Sequence, residues 1–352
     1  MGRYSLGMKF LPLLTAAVMI LSAIAFTPAP VFAVNPPCGS VLIANTTLKG
    51  VITCASPVGY TIGSAGITIV CKAATLVGPG SGIGIYNPGF ASVTIKNCDV
   101  KDFDTGIGIR DSPNNILTGN YAYDNTGPGF VVFDSNSSSL LKNSAYFDAA
   151  GFFMNYSSGV TLQLNKGYDS TAFEGFGAYA SSGNKLISNT ASGNAEDGFS
   201  FGSGFTSNII LSNTAVGNDL VGFSLSGSSA NVIQANKATA NLGDGFVLNN
   251  TSDLNLLYSN KAAGNGGDGF HLASSSSNNL ISNTALRNSV DGFHFESTAT
   301  HNSIIDNTAL VNGRYRCYDG TGLFAPLQNF YFGNSGTPVG PAYSVPSGLF
   351  PS

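Results

Sequence analysis

Arg110, Asp111 and Asp134 are the residues in this chain with the chemistry of sugar cleavage. Two carboxylates flanking one bond can act as acid and base in glycoside hydrolysis. An arginine beside them can pair with a uronate carboxylate. The plainer reading of the three is a set of charges on surface turns. Tyr123, Tyr146 and Tyr168 recur at near-constant spacing, with Asp124, Asp148 and Asp169 close by. Flat apolar rings edged by acceptors suit a carbohydrate-binding surface, for which Tyr123, Tyr146, Tyr168 and Asp124 are the candidates. Rings packed sideways beneath a loop are the competing reading. His271 and His294 each follow a glycine by two positions. Stacked about 5 Å apart, two imidazoles can hold a metal ion with a third ligand from elsewhere; otherwise they are exposed polar side chains. Asp244, Asp268 and Asp291 precede glycines in successive repeats, with Asp197 earlier. Such a column is either a Ca2+ site or turn chemistry, with carboxylates bonding nearby backbone.

A ladder of asparagines sets the frame that must position these groups. Asn120, Asn143, Asn165, Asn189, Asn213, Asn236, Asn260, Asn283 and Asn307 follow one another at 22 to 24 residues. Leu or Ile stands three positions before each, and Ala (once Gly) two positions after, as in Ile210-x-x-Asn213-x-Ala215. A Gly–Phe step keeps the same phase from Gly129-Phe130 to Gly292-Phe293, and alternation follows it, as in Phe199-Ser200-Phe201. Period-two alternation marks a strand with every second side chain inward. Each repeat therefore reads as one strand near the asparagine, a turn, and a second strand after the glycine. Glycine is expected at that step for its tolerance of positive φ.

Units this short cannot close a core alone, so neighbours must stack and share one. The fold class predicted is all-β: a right-handed, single-stranded parallel β-helix with coils of 22–24 residues. The hand follows the crossover preference of parallel strands. Asparagines at the bend would bond up and down the stack, with phenylalanines inside. Asn97 lies 23 residues before Asn120 and extends the ladder at that spacing, although Asp99 then stands where Ala is expected.

Residues 1–33 read as a signal peptide, with Arg3 and Lys9 before the apolar run Phe10 to Phe26 and small residues near Ala33. An uncleaved anchor is the alternative. Residues 34–80 are expected to form an N-terminal cap with irregular first coils, 81–314 the repeats, and the aromatic, proline-rich 315–352 a C-terminal cap. The expected location is outside the cytoplasm: secreted, periplasmic or at the cell surface. Without Arg3 and Lys9 the chain has 13 basic against 19 acidic residues. That balance lacks the basic footprint of a nucleic-acid binder, and no later segment is apolar enough to span a membrane. Export permits disulfides: Cys38 is expected to pair with Cys54, Cys71 and Cys98 to be bonded or merely stacked, and Cys317 to be left over.

The repeat Leu/Ile-x-x-Asn-x-Ala with its Asp-Gly-Phe step resembles the NosD-like proteins, within the wider pectin-lyase-like group of right-handed β-helices. The resemblance covers roughly residues 40 to 330 and speaks for fold. It implies an extracellular or cell-envelope polysaccharide as partner, bound or organised by the solenoid. Alternatives within that group are a polysaccharide lyase, glycoside hydrolase or uronate epimerase; outside it, a structural surface-layer or adhesin component. The polygalacturonase-type Asn-Thr-Asp, Asp-Asp, Gly-His-Gly and Arg-Ile-Lys motifs are absent from this sequence. Apart from Ca2+ no cofactor is expected. Met154 is the one methionine beyond the leader, which leaves little for a Cu(I) site that wants thioether ligands.

Overall fold

The computed structural model describes residues 35–321 and 329–336; the expected signal peptide lies outside them. Every described element is a β-strand or a turn, and the strands pair in parallel from coil to coil. The fold is a right-handed parallel β-solenoid of about 13 coils.

A regular coil carries three short strands, not two. In one coil these are Ile209–Leu211, Thr214–Val216 and Phe223–Ser226. The segment around each asparagine is thus split in two by a sharp bend. The residue before the asparagine takes the left-handed backbone that makes this bend, as at Ser188 (φ 54°), Ser212 (φ 56°) and Ser259 (φ 55°). Ile210, Ala215, Phe223 and Leu225 point inward, and register is kept throughout: Ile210 pairs with Ile233, Ala215 with Ala238, Phe223 with Phe246. The Gly–Phe strands form one 13-stranded sheet, here called the phenylalanine sheet.

Asparagine is required at the bends because the backbone N–H there is buried and points along the axis. Asn213 donates its backbone N–H to Asn236 Oδ1 (2.8 Å), and its side-chain amide to the same oxygen (3.0 Å) and to Leu186 O (2.8 Å). One side chain per coil so satisfies groups that would otherwise be buried without partners. There are three such ladders. A second runs through Asn194, Asn218, Asn241, Asn265, Asn288 and Asn312. The third runs through Asn184, Asn208, Asn231 and Asn255, and on through Asn278 and Asn302 to Asn329.

The glycine of the Gly–Phe step serves a different purpose from the one expected. None of these glycines has positive φ. A Cβ on Gly222 would sit 2.6 Å from Gly245 O, 2.7 Å from Ala238 Cβ and 2.9 Å from Asn241 Nδ2. The coil is pinched here, the inward Ala of one strand facing the glycine across it, so the step needs a missing side chain rather than a special backbone angle. Beyond the pinch the phenylalanines stack from Phe130 to Phe293, with ring centroids 4.7–4.9 Å apart.

At the N-terminal end it is Cys98, not Asn97, that aligns with Asn120: its N–H donates to Asn120 Oδ1 (3.0 Å), and Val100 pairs with Ala122. The even spacing of Asn97 is off by one because the preceding coil differs in length. Cys38–Cys54 and Cys71–Cys98 are disulfides, with Cα atoms 5.4 and 4.7 Å apart. Cys317 is a buried free thiol beside the Tyr331 hydroxyl (3.8 Å). Strands Cys317–Asp319, Phe330–Phe332 and Ser335–Gly336 carry the sheets onward, and Asn329 and Asn334 extend two of the ladders. Among the described residues no helix is long and apolar enough to cross a membrane.

Candidate functional site: an aromatic and acidic groove

The outer face of the phenylalanine sheet is not uniform. Phe153 and Asn155 leave the strand Ala150–Asn155 outward, and Tyr179 leaves Phe176–Tyr179 beside them. Residues 170–174 rise between the coils as a wall, held by Thr171 N–H to Asp148 O (2.8 Å) and Phe173 N–H to Ala149 O (2.8 Å). Together they enclose a groove of about 870 Å3 whose lining includes Phe153, Tyr156, Phe173, Tyr179, Glu174 and Glu196. Tyr156 and Phe173 are more than half exposed, whereas Glu174 is buried.

Burial pushes the Glu174 carboxyl above the usual range, with Glu196 and Asp197 adding negative charge nearby. Asp197 is raised to about 6, chiefly by burial and against the hydrogen bond it accepts from the Val221 N–H (2.9 Å). Asp148, under the wall, occupies a ladder position that is asparagine in most coils. Its Oδ1 accepts the backbone and side-chain N–H of Asn125 (2.9 and 2.8 Å), while its Oδ2 is buried without a partner. Burial lifts it to about 7.

Arg110, Phe133, Asn155 and Tyr179 stand in register on four successive strands, so the Arg110 cluster and the groove share one face. The Arg110 guanidinium lies over the Phe133 ring (4.5 Å) and 3.8 Å from Asp111, beside a small hollow of about 190 Å3 that Tyr86 also lines. Asp111 and Asp134 end adjacent strands in left-handed conformation (φ 53° and 44°), both exposed.

The tyrosine stripe lies on a different face. Tyr123, Tyr146 and Tyr168 pair in register and stack nearly parallel, 5.0 and 5.3 Å apart. Their faces are occupied by one another, and Lys101 Nζ stands 5.4 Å over the Tyr123 ring. What they offer outward is ring edges and hydroxyls, with exposed Asp124 alongside. Burial, helped by Tyr121, raises the Tyr168 hydroxyl to about 12.

His271 and His294 stack as expected, ring centroids 4.6 Å apart. Each is oriented by the aspartate of the coil before: Asp244 Oδ2 to His271 Nδ1 (3.1 Å) and Asp268 Oδ2 to His294 Nδ1 (2.8 Å). The other oxygen of Asp268 accepts the backbone N–H of Asp291 (2.7 Å), and Asp291 accepts that of Tyr315 (2.8 Å). The aspartates before glycine therefore bond the backbone of the next coil, a fourth polar ladder, instead of turning toward a shared Ca2+ position.

Sequence reasoning named Arg110 and the tyrosines but missed the groove. Its signal was the departure of Phe153 from the small residues in register with it, Gly177, Ser200 and Ser224, with Tyr156, Phe173 and Tyr179 close by in sequence.

Residues 150–309 match the family described as right handed beta helix region, and residues 62–220 that described as periplasmic copper-binding protein (NosD). The chain is a NosD-like right-handed parallel β-helix protein. No curated protein matches it in sequence. Among solved structures it resembles the periplasmic alginate epimerase AlgG (13% identity, 84% of this chain and 86% of that one, TM-score 0.60). It also resembles the A-module of a mannuronan C-5 epimerase from Azotobacter vinelandii (17%, 86% and 82%, TM-score 0.57). A third is the Dettilon tailspike protein (14%, 82% and 62%, TM-score 0.61). At these identities the likeness is one of fold. Soft ligands for a Cu(I) site do not converge among the described residues: Met154 is packed in the core and Cys317 is buried in a coil far along the stack.

Proposed function

We propose that this is an exported protein that binds a polysaccharide along the outer face of the phenylalanine sheet, centred on the groove at Phe153, Tyr156, Phe173 and Tyr179. One observation carries the reading: the second asparagine ladder, which runs on from Asn194, has Asp148 and Ser170 at its positions in the two coils that build the groove. Departures from an otherwise consistent repeat mark places where function outweighs stability. Exposed aromatic faces take the C–H faces of sugar rings, and carboxylates accept their hydroxyls, the mix usual in ligand grooves. Arg110 extends the same face by two coils and gives a uronate carboxylate a charged partner. The names of two similar structures, on alginate and on mannuronan, support a polyuronate as the partner; the family name of the NosD match supports export to the periplasm. The tyrosine stripe is a secondary contact, offering hydroxyls and Asp124 at its edge.

A specific observation also favours catalysis as a second reading. Glu174, shielded in the groove and holding its proton above the usual carboxylate range, has the character of a general acid. Incubating the purified protein with a panel of polyuronates and neutral glycans separates the readings. Retention without turnover is the expected result. New reducing ends, unsaturated products or inverted C5 centres that vanish in Glu174→Gln would establish the enzyme. Neither retention nor turnover would leave a structural scaffold.

A further inference from the structure

We propose that His271, His294, Asp268 and Glu296 form a site for one divalent transition-metal ion of borderline softness, such as Zn2+, near the C-terminal end of the phenylalanine sheet. One donor atom from each of Asp268, His271 and His294 lies within 4.8 Å of the other two. Glu296 adds a fourth, its Oε1 3.2 Å from His271 Nε2. Zinc bonds of about 2.0–2.2 Å place tetrahedral donors roughly 3.3–3.6 Å apart; His271 Nε2 and Glu296 Oε1 (3.2 Å) already stand near that spacing, and donors as far as 4.8 Å apart reach it by side-chain rotation.

The support of the imidazoles points the same way. Asp244 holds the Nδ1 edge of His271, leaving Nε2 toward Glu296. A carboxylate on one ring nitrogen fixes the tautomer and orientation in which the other nitrogen binds metal. Asp244 and Asp268 are themselves anchored, each accepting the backbone N–H of the next coil's aspartate. Asp291 is drawn off by Arg314, which forks onto it (3.1 and 2.6 Å), so its charge is already matched. Two imidazoles with two carboxylates suit Zn2+, Cu2+ or Ni2+; an all-oxygen set would suit Ca2+ or Mg2+. The cluster lies several coils from the groove and does not depend on the glycan reading.

Zn2+ titration against a chromophoric chelator at neutral pH, with Co2+ absorption as a second readout, tests the site on the intact protein. One ion per chain is expected, with Kd on the order of micromolar, unchanged in His301→Ala and not displaced by Ca2+. His271→Ala and His294→Ala should each weaken it at least about tenfold, and Glu296→Gln should alter the Co2+ spectrum. His271→Gln with His294→Gln keeps side chains of similar size, and serves if the alanine variants unfold by circular dichroism. Failure of the wild type to bind Zn2+ below about 100 µM, or undiminished binding in a folded double variant, would overturn the proposal.

Discussion

Asp148 concentrates the tension between stability and function in a single side chain. It takes an asparagine position, keeps the acceptor role toward Asn125, and lacks the donor that neighbouring coils aim at a carbonyl. With its folded pKa raised to about 7 by burial against about 3.9 unfolded, the folded chain holds a proton that the unfolded chain releases. The contribution of Asp148 to stability is therefore fullest below about pH 4, is lost as pH rises toward 7, and is level above. Asp148→Asn should remove that component, stabilising the protein at pH 8 by a few kcal/mol and little at pH 4. Urea unfolding of both proteins across this range measures the difference directly. Equal gains at both pH values would show that folding does not raise the pKa of Asp148. The sequence displayed this residue only as a carboxylate near a tyrosine; its ladder position was hidden because it belongs to a different ladder from the one that flanking Leu and Ala mark.

At the scale of the strand and turn, the repeat was legible where identity recurs. Ile210-x-x-Asn213-x-Ala215 and Gly222-Phe223 give register and inward face directly, and both stand as expected. The third strand was not legible, because Ile209–Leu211 and Thr214–Val216 lie too close together to look like two elements. Asn218 and Asn208, each five residues from Asn213, repeat at the same period and were the available signal for two more ladders. The pinch at glycine was also unreadable, since it comes from the facing Ala and the next coil's asparagine. Gly222→Ala should destabilise by about 3 kcal/mol through overpacking. Lys237→Ala, outward on a neighbouring coil, should stay within about 0.5 kcal/mol. Comparable losses at the two sites, by chemical unfolding, would mean that the coil is not pinched there.

For the whole molecule, regularity and function are complementary. From Asn184 onward the coils repeat almost without exception, and their outer surface is mostly small and polar. Toward the N-terminal side the repeat loosens, and there Arg110, Phe133, Phe153, Tyr156, Phe173 and Tyr179 collect on one sheet face. Period analysis finds the first region and passes over the second, because a groove depends on how high residues 170–174 stand, which no repeat encodes. The central claim is that this face holds a polysaccharide, and the most direct measurement is the affinity of a polyuronate oligosaccharide for the wild type and for Tyr156→Ala/Phe173→Ala. Both rings are mostly exposed, so the melting temperature should change little. Removing each ring from beneath a sugar should weaken binding by about 1 kcal/mol or more, at least tenfold for the pair. Tyr123→Ala/Tyr146→Ala/Tyr168→Ala should weaken it less, at a visible cost in melting temperature as the stack comes apart. Undiminished affinity in a folded Tyr156→Ala/Phe173→Ala variant would contradict the account and place the glycan elsewhere on the solenoid.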